Sequence, residues 1–245
     1  MWAQDGGFEM AASRLIFVEG MTGAGKSTTA IRIAEWLQEC GRSVRCCHEM
    51  DDDNPIRTRG VDVMRANHPH ASRPPDLGED GLARDASVYA VEQWAALARR
   101  AVEGDEVVVL ESRYLQNSVQ PRYLAGAPSS KVHEGFRKIH DQAASAEPIL
   151  VYLRPEDVRG HLRRTLEERD SAWSEWLIAS FSRYAWARSR GISGEEAVFC
   201  FYEDWEAIAA ALFDRHRGPK LWIHDPQKHW GDTLEQIRSV IEANL

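Results

Sequence analysis

The clearest chemistry in this chain lies in Gly20-x-x-x-x-Gly25-Lys26-Ser27, which matches the phosphate-binding loop pattern in full. Glycines at 20, 23 and 25 let the backbone curl so that successive N–H groups face one anionic centre. A helix opening near Lys26 adds the positive end of its dipole. The Lys26 ammonium can reach outer phosphates, and the Ser27 hydroxyl can complete a magnesium shell. The expected binding residues are Gly20, Thr22, Gly23, Ala24, Gly25, Lys26, Ser27 and Thr28, and the expected ligand is a nucleoside triphosphate with Mg2+.

If a phosphoryl group moves to a hydroxyl, a carboxylate must take or orient the acceptor proton. Glu49 and Asp51 follow a short apolar run and could each be that base, although Asp51–Asp53 could merely solvate a loop. Glu111 ends another apolar run, where it could hold the metal or its water; Arg113 could bind an acceptor group or the transferring phosphate. Gln116 and Asn117 read as helix-surface amides. The arginines at 159, 163, 164 and 169 allow two readings. Arg163/Glu167 and Arg164/Glu168 are spaced for self-pairing along an exposed helix; alternatively, the segment is a lid whose arginines close over the triphosphate. Trp173, Trp176, Trp186 and Trp205 fall at helical positions where core packing is expected, and His68 and His70 lack a spacing suited to metal.

The elements that must position these groups alternate. Strands are expected at Leu15–Val18, Val44–His48, Val107–Leu110, Ile149–Leu153 and Leu221–Ile223. Helices are expected from Ser27 to Glu39 with Gly41 just past its end, and from Leu82 to Val102. Further helical pieces over 114–146 should break at Pro121 and Gly126-Ala127-Pro128. Pro155 is expected in a first helical turn, Ser193-Gly-Glu-Glu196 as a capping box and Thr233-Leu-Glu-Gln236 as the cap of a last helix. This rhythm predicts an α/β fold with a five-stranded parallel sheet covered on both faces. In such sheets ligands bind beyond the carboxyl ends of the strands, which selects the loop at Gly20, the acids at Glu49 and Asp51, and Glu111 with Arg113. The polar stretch from Met50 to Asp80 is long enough to suggest a functional loop.

Composition narrows the partners. A net charge of −8 over 245 residues argues against general nucleic-acid binding. The four cysteines show no metal or disulfide spacing; Cys46 and Cys47 fall in a strand as small hydrophobes. Neither a signal peptide nor a membrane span is evident, so a cytoplasmic protein is expected. Residues 1–13 read as a loose tail and 14–245 as a single domain. The oligomeric state is left open, a homodimer included.

Taken with Phe17–Thr28, Glu49, Glu111-Ser-Arg-Tyr114 and Val151-Tyr-Leu-Arg-Pro-Glu156, the chain resembles the P-loop nucleoside and nucleotide kinases, particularly thymidylate and deoxynucleoside kinases. The resemblance implies a three-layer kinase fold, Mg-ATP as donor and a helical lid at about 159–170, with acceptor-side helices at about 114–146 and 171–215. It implies Glu49 as the base, with Asp51 remaining the alternative from its position, and Glu111 with Arg113 as the acid–Arg pair beside the loop lysine, Lys26. Arg163, Arg164 and Arg169 would bind ATP, and Ser27 and Glu111 would hold Mg2+. The chain departs from thymidylate kinases in carrying Thr22 in the loop, Ser112 where an aspartate is usual, and Met50-Asp51 after Glu49. The expected function is therefore phosphoryl transfer from ATP to a small-molecule acceptor: a nucleoside, a nucleotide or an antibiotic-like hydroxyl or phosphate. A regulatory nucleotide switch acting with a protein partner is the alternative, and a nucleotide-binding protein without catalysis is a third case.

Overall fold

The computed structural model describes residues 13–57 and 81–245, the side chains of 81–90 excepted. At its centre is β1 (Leu15–Gly20), in which every residue is buried. A strand with no exposed residue requires cover on both faces, and its unbroken Leu-Ile-Phe-Val run supplies the apolar surface for that. Four more strands join it: β2 (Val44–Cys47), β3 (Val107–Glu111), β4 (Ile149–Arg154) and β5 (Lys220–His224). The order is β2-β3-β1-β4-β5, all parallel. The chain leaves β1 towards the β2 side and leaves β4 towards β5, so the connections diverge beyond Gly20 and open a crevice there.

On one face α1 (Lys26–Glu39) packs its buried stripe of Ala30, Ile33, Ala34 and Leu37 against β1, β2 and β3. It ends where the left-handed Gly41 (φ 78°) and Arg42 return N–H bonds to Gln38 and Leu37 at 2.9 and 3.0 Å. The other face is organised by aromatics. Phe17 of β1 meets Trp94 of α2 (Gly81–Glu103) with ring centres 5.4 Å apart, and it stacks on Tyr114 at 4.6 Å. After α3 (Gln120–Leu124), α4 (Ser129–Ala143) brings Phe136 against Tyr114 at 5.4 Å. The C-terminal half adds α5 (Val158–Glu168), α6 (Ser171–Arg183), α7 (Ala185–Arg188), α8 (Glu195–Arg215) and α9 (Trp230–Glu242). Through Glu206, α8 accepts hydrogen bonds from Tyr152 and Arg154 of β4, both at 3.0 Å.

Several local expectations shift. Strand β2 stops at Cys47, and His48 and Glu49 lie in the turn beyond it. Pro121 sits in the first turn of α3 rather than ending a helix, because a proline there forfeits no helical bond. Pro155 lies ahead of α5, whose cap is Asp157, accepting from the Gly160 N–H at 2.9 Å. Gly194, not Ser193, caps α8, and no side chain bonds there. Thr233 is already inside α9, where its hydroxyl donates to the Pro226 carbonyl at 3.1 Å. Ser13, placed in the loose tail by its sequence, is buried and donates its N–H to Asn244 O at 2.8 Å. His68 and His70 lie outside the described residues. Among those described, no helix is long and apolar enough to cross a membrane.

Candidate active site

The glycine loop is shaped by what crowds it. A side chain at Gly20 would bring Cβ within 2.3 Å of the Leu153 carbonyl on β4, and one at Gly23 (φ 79°) would meet Thr165 of α5 at 2.4 Å. Gly25 (φ 93°) is the left-handed cap from which α1 starts. The first main-chain bond of that start runs from Thr29 N–H to Gly25 O, 2.9 Å. The N–H groups of Gly25, Lys26, Ser27 and Thr28 therefore crown the helix, and such a crown attracts anions. Three outside elements engage the loop from the side of its oxygens. His161 of α5 donates to Thr22 O at 2.9 Å, Gln227 donates to Gly23 O at 2.8 Å, and Tyr202 of α8 shares a hydrogen bond with the Thr22 hydroxyl at 2.5 Å. Burial lowers the His161 pKa, which keeps the ring neutral with its proton on Nε2. Ala24 is buried, and neither it nor Gly20 lines the cleft; Thr22, Gly23, Gly25, Lys26, Ser27 and Thr28 do.

Two glutamates flank Lys26, whose ammonium donates to Met21 O at 2.9 Å. Glu111, at the end of β3, accepts from the Ser27 hydroxyl at 3.1 Å, the Ser112 hydroxyl at 3.0 Å and the Glu49 N–H at 3.2 Å. Burial raises its pKa, but the Lys26 charge and these donors outweigh burial and leave it lowered. Glu49, just beyond β2, accepts from Asn117 at 3.0 Å and from Gln116 at 3.4 Å. Here burial wins over Lys26, and with the neighbouring Glu111 charge also pushing upwards, the Glu49 pKa is raised. The Ser27–Glu111 pair is a set of hard oxygen donors that fits Mg2+, which takes one or two protein oxygens alongside phosphate and water. No cluster of three or more acidic, His or Cys side chains suited to a metal occurs among the described residues.

The remaining sequence candidates separate. Asp51 is spent on its own turn, its carboxylate accepting the His48 N–H at 2.7 Å, and it is not on the cleft wall. Arg113 is 1 % exposed and also off the wall. Its guanidinium donates to the Glu49 main-chain carbonyl, which braces the turn after β2, and its charge also acts on the Glu49 carboxylate. Ser112 sends it there, with a left-handed φ of 59° that turns the chain sharply after Glu111. Arg163 and Arg164 are exposed and do not line the cleft; Arg163 lies over Phe199 at 5.8 Å. Neither Arg163/Glu167 nor Arg164/Glu168 forms an ion pair. Arg159 instead joins Glu196 at 2.9 Å and Glu203 at 2.7 Å, tying α5 to α8. Only Arg169 of the four reaches the cleft, with its guanidinium over Trp173 at 5.2 Å.

The cleft has a volume of about 440 Å³. Its wall also includes Trp173, Trp176, Phe181 and Tyr184, with Tyr202 beside the loop and the amides Gln116, Asn117 and Gln120. Of the tryptophans, Trp186 and Trp205 are buried in the core, while Trp173 and Trp176 are partly buried against it and also line the cleft. The amides read as surface groups turn inward. Behind Gln116 lies Glu19, which follows the Leu15–Val18 run and is fully buried on β1. It accepts the N–H groups of Tyr114 at 2.6 Å and Gln116 at 3.0 Å, and burial pushes its pKa up to about 7. An acid directly after a buried apolar run was the available signal, since a carboxylate there must find partners. Neither a family model nor a curated protein sequence matches the chain.

Proposed function

We propose that the chain is a phosphotransferase that moves the γ-phosphoryl group of Mg-ATP to a small molecule held in the cleft. One observation carries this reading: the glycine loop, Lys26, the Ser27–Glu111 pair and the half-buried Glu49 all line one cavity, whose wall is also rich in aromatic side chains. A cavity with a phosphate grip alone would suit binding; an added strand-end carboxylate facing an organic pocket suits transfer.

In this reading the crown of N–H groups at Gly25–Thr28 and the Lys26 ammonium hold the phosphates and stabilise charge as it develops on the transferring group. Ser27 and Glu111 would hold Mg2+, which when bound neutralises phosphate charge. Glu49 accepts the proton of the acceptor hydroxyl as its oxygen attacks the terminal phosphorus, and the bond to the ADP oxygen breaks. Its raised pKa makes it a better proton acceptor than an ordinary surface carboxylate. In this reading α5, which contacts the loop through His161, would serve as the lid, and Arg169, just past its end, lines the cleft. The donor as ATP follows from the resemblance of the loop and strand ends to P-loop kinases.

The test is transfer from Mg-ATP to a panel of hydroxyl and phosphate acceptors, scored by the mass gain of one phosphoryl group. ATP binding with neither transfer nor hydrolysis would point to a non-catalytic nucleotide binder. Hydrolysis without any acceptor, stimulated by another protein, would point to a regulatory switch.

A further inference from the structure

We infer that Tyr114, His140 and His216 form an acid-released latch: it ties four segments of the chain together while both imidazoles are neutral, and a further proton on either ring undoes it. All three side chains are buried, and none of them lines the cleft. Tyr114 follows β3, His140 lies in the last turn of α4, and His216 caps the end of α8. The fourth segment is Pro148, just ahead of β4.

The Tyr114 hydroxyl lies 2.8 Å from His140 Nδ1 and 3.2 Å from His216 Nδ1, and His216 Nε2 lies 2.8 Å from the Pro148 carbonyl oxygen. With both rings neutral, one placement of protons satisfies all three contacts. A carbonyl only accepts, so His216 carries its proton on Nε2, and its bare Nδ1 must accept from Tyr114. The single phenol hydrogen is then spent, so the phenol oxygen accepts from His140, whose proton sits on Nδ1. His140 Nε2 is left bare and buried, with no hydrogen-bond partner among the described residues.

An added proton breaks this arrangement at either ring. On His216 Nδ1 it sets an N–H against the phenol O–H, two donors facing each other. On His140 Nε2 it creates a buried N–H with no acceptor, on a ring stacked against Phe136 at 5.4 Å. The joint has no slack to absorb the change: a Cβ at Gly218 would lie 2.3 Å from the Pro148 oxygen and 2.9 Å from His216 Nε2.

The surrounding charges favour the neutral rings. Burial lowers the pKa of His216 to about 4, with the His140 ring and Lys220 acting in the same direction. Burial and Arg217 lower that of His140, against the pull of Asp141. Burial, with the Glu19 and Asp141 charges, keeps the Tyr114 hydroxyl protonated. An unfolded histidine titrates near about 6.5, so acid favours the open chain. Glu19, which accepts the Tyr114 N–H, has a raised pKa and works in the opposite direction, so the latch is read as a difference between two proteins that share Glu19.

The experiment uses the full chain. NMR of isotope-labelled imidazole nitrogens at neutral pH should show His140 protonated on Nδ1 and His216 on Nε2, and neither ring should titrate with an ordinary midpoint in the folded protein. The opposite tautomer at either ring, or a midpoint near about 6.5 in the folded state, would overturn the latch. His216→Gln keeps an N–H for Pro148 and an oxygen for the Tyr114 hydroxyl but cannot take up the proton. Between pH 7 and pH 5 the folding constant of the unaltered chain, from urea unfolding, should drop about twentyfold more than that of the variant. Equal drops would also overturn it. Should the variant fail to fold, the NMR titration of the unaltered chain decides by itself.

Discussion

The ends of β2 and β3 lie side by side over Lys26, and each carries a glutamate, yet the surrounding residues treat the two carboxylates in opposite ways. At the β3 end, Glu111 collects two hydroxyls and a main-chain N–H, and its charged form is stabilised. At the β2 end, Glu49 has two side-chain amides, fewer donors, and a like charge beside it. Neighbouring acids whose pKa values are driven apart divide their work: one remains an anion, the other exchanges a proton. Under the proposed function this division would give Glu111 the cation and Glu49 the acceptor, from surroundings and not from residue type.

The widest separation between the strand ends and their common partner comes from Lys26→Ala. Turnover should fall by about three orders of magnitude in a protein that melts normally, because Lys26 serves both acids and the phosphates through charge. Steady-state rates and thermal melts check this, and near-normal turnover in a folded variant removes Lys26 from the mechanism.

Glu49→Gln should lower kcat by about two to three orders of magnitude with little change in ATP affinity. The same variant should erase the acidic limb of the pH–rate profile. That limb arises because Glu49 must be ionised to accept a proton, so the rate climbs as pH rises through its elevated pKa. A limb that persists in the glutamine variant would belong to another group.

Glu111→Gln should act on the cation instead, raising the Mg2+ concentration for half-maximal rate about tenfold. Stability should divide the two acids as well. Glu111, with a lowered folded pKa, stabilises the protein above its unfolded pKa and loses that contribution as pH falls through the folded value. At pH 8 its glutamine variant should lose about 1–2 kcal/mol in urea unfolding, the scale of hydrogen bonds to a charged group. Glu49 has the opposite sign. Its raised folded pKa costs stability as pH rises past the unfolded value, so Glu49→Gln should be the more urea-resistant protein at pH 8.

The smallest effect belongs to Asp51→Asn. Its carboxylate is occupied by the His48 N–H, so kcat should change less than about threefold. A loss matching that of Glu49→Gln would move the base two residues along the chain.

The sequence by itself determined the parts whose physics is local. A buried apolar strand, three glycines and a lysine at helix start specify a loop within a dozen residues, and the α1 stripe and the Gly41 stop follow the same short-range rules. Parallel strands ending in Glu49 and Glu111 were legible because alternation of strand and helix dictates which edge they share. Side-chain direction after a strand is a different matter. One left-handed residue, Ser112, turns Arg113 into the body, one buried acid, Glu19, holds the main chain at Tyr114 and Gln116, and the Gln116 and Asn117 amides reach Glu49. The helix caps moved for a similar reason, since each depends on backbone angles set by packing with distant elements. The aromatic part of the cleft wall is likewise assembled from α6 and α8, brought together across the fold. Tertiary structure alone decided which of the legible residues face one another, because contact between segments far apart in the chain is fixed by burial of the whole core and not by spacing within either segment.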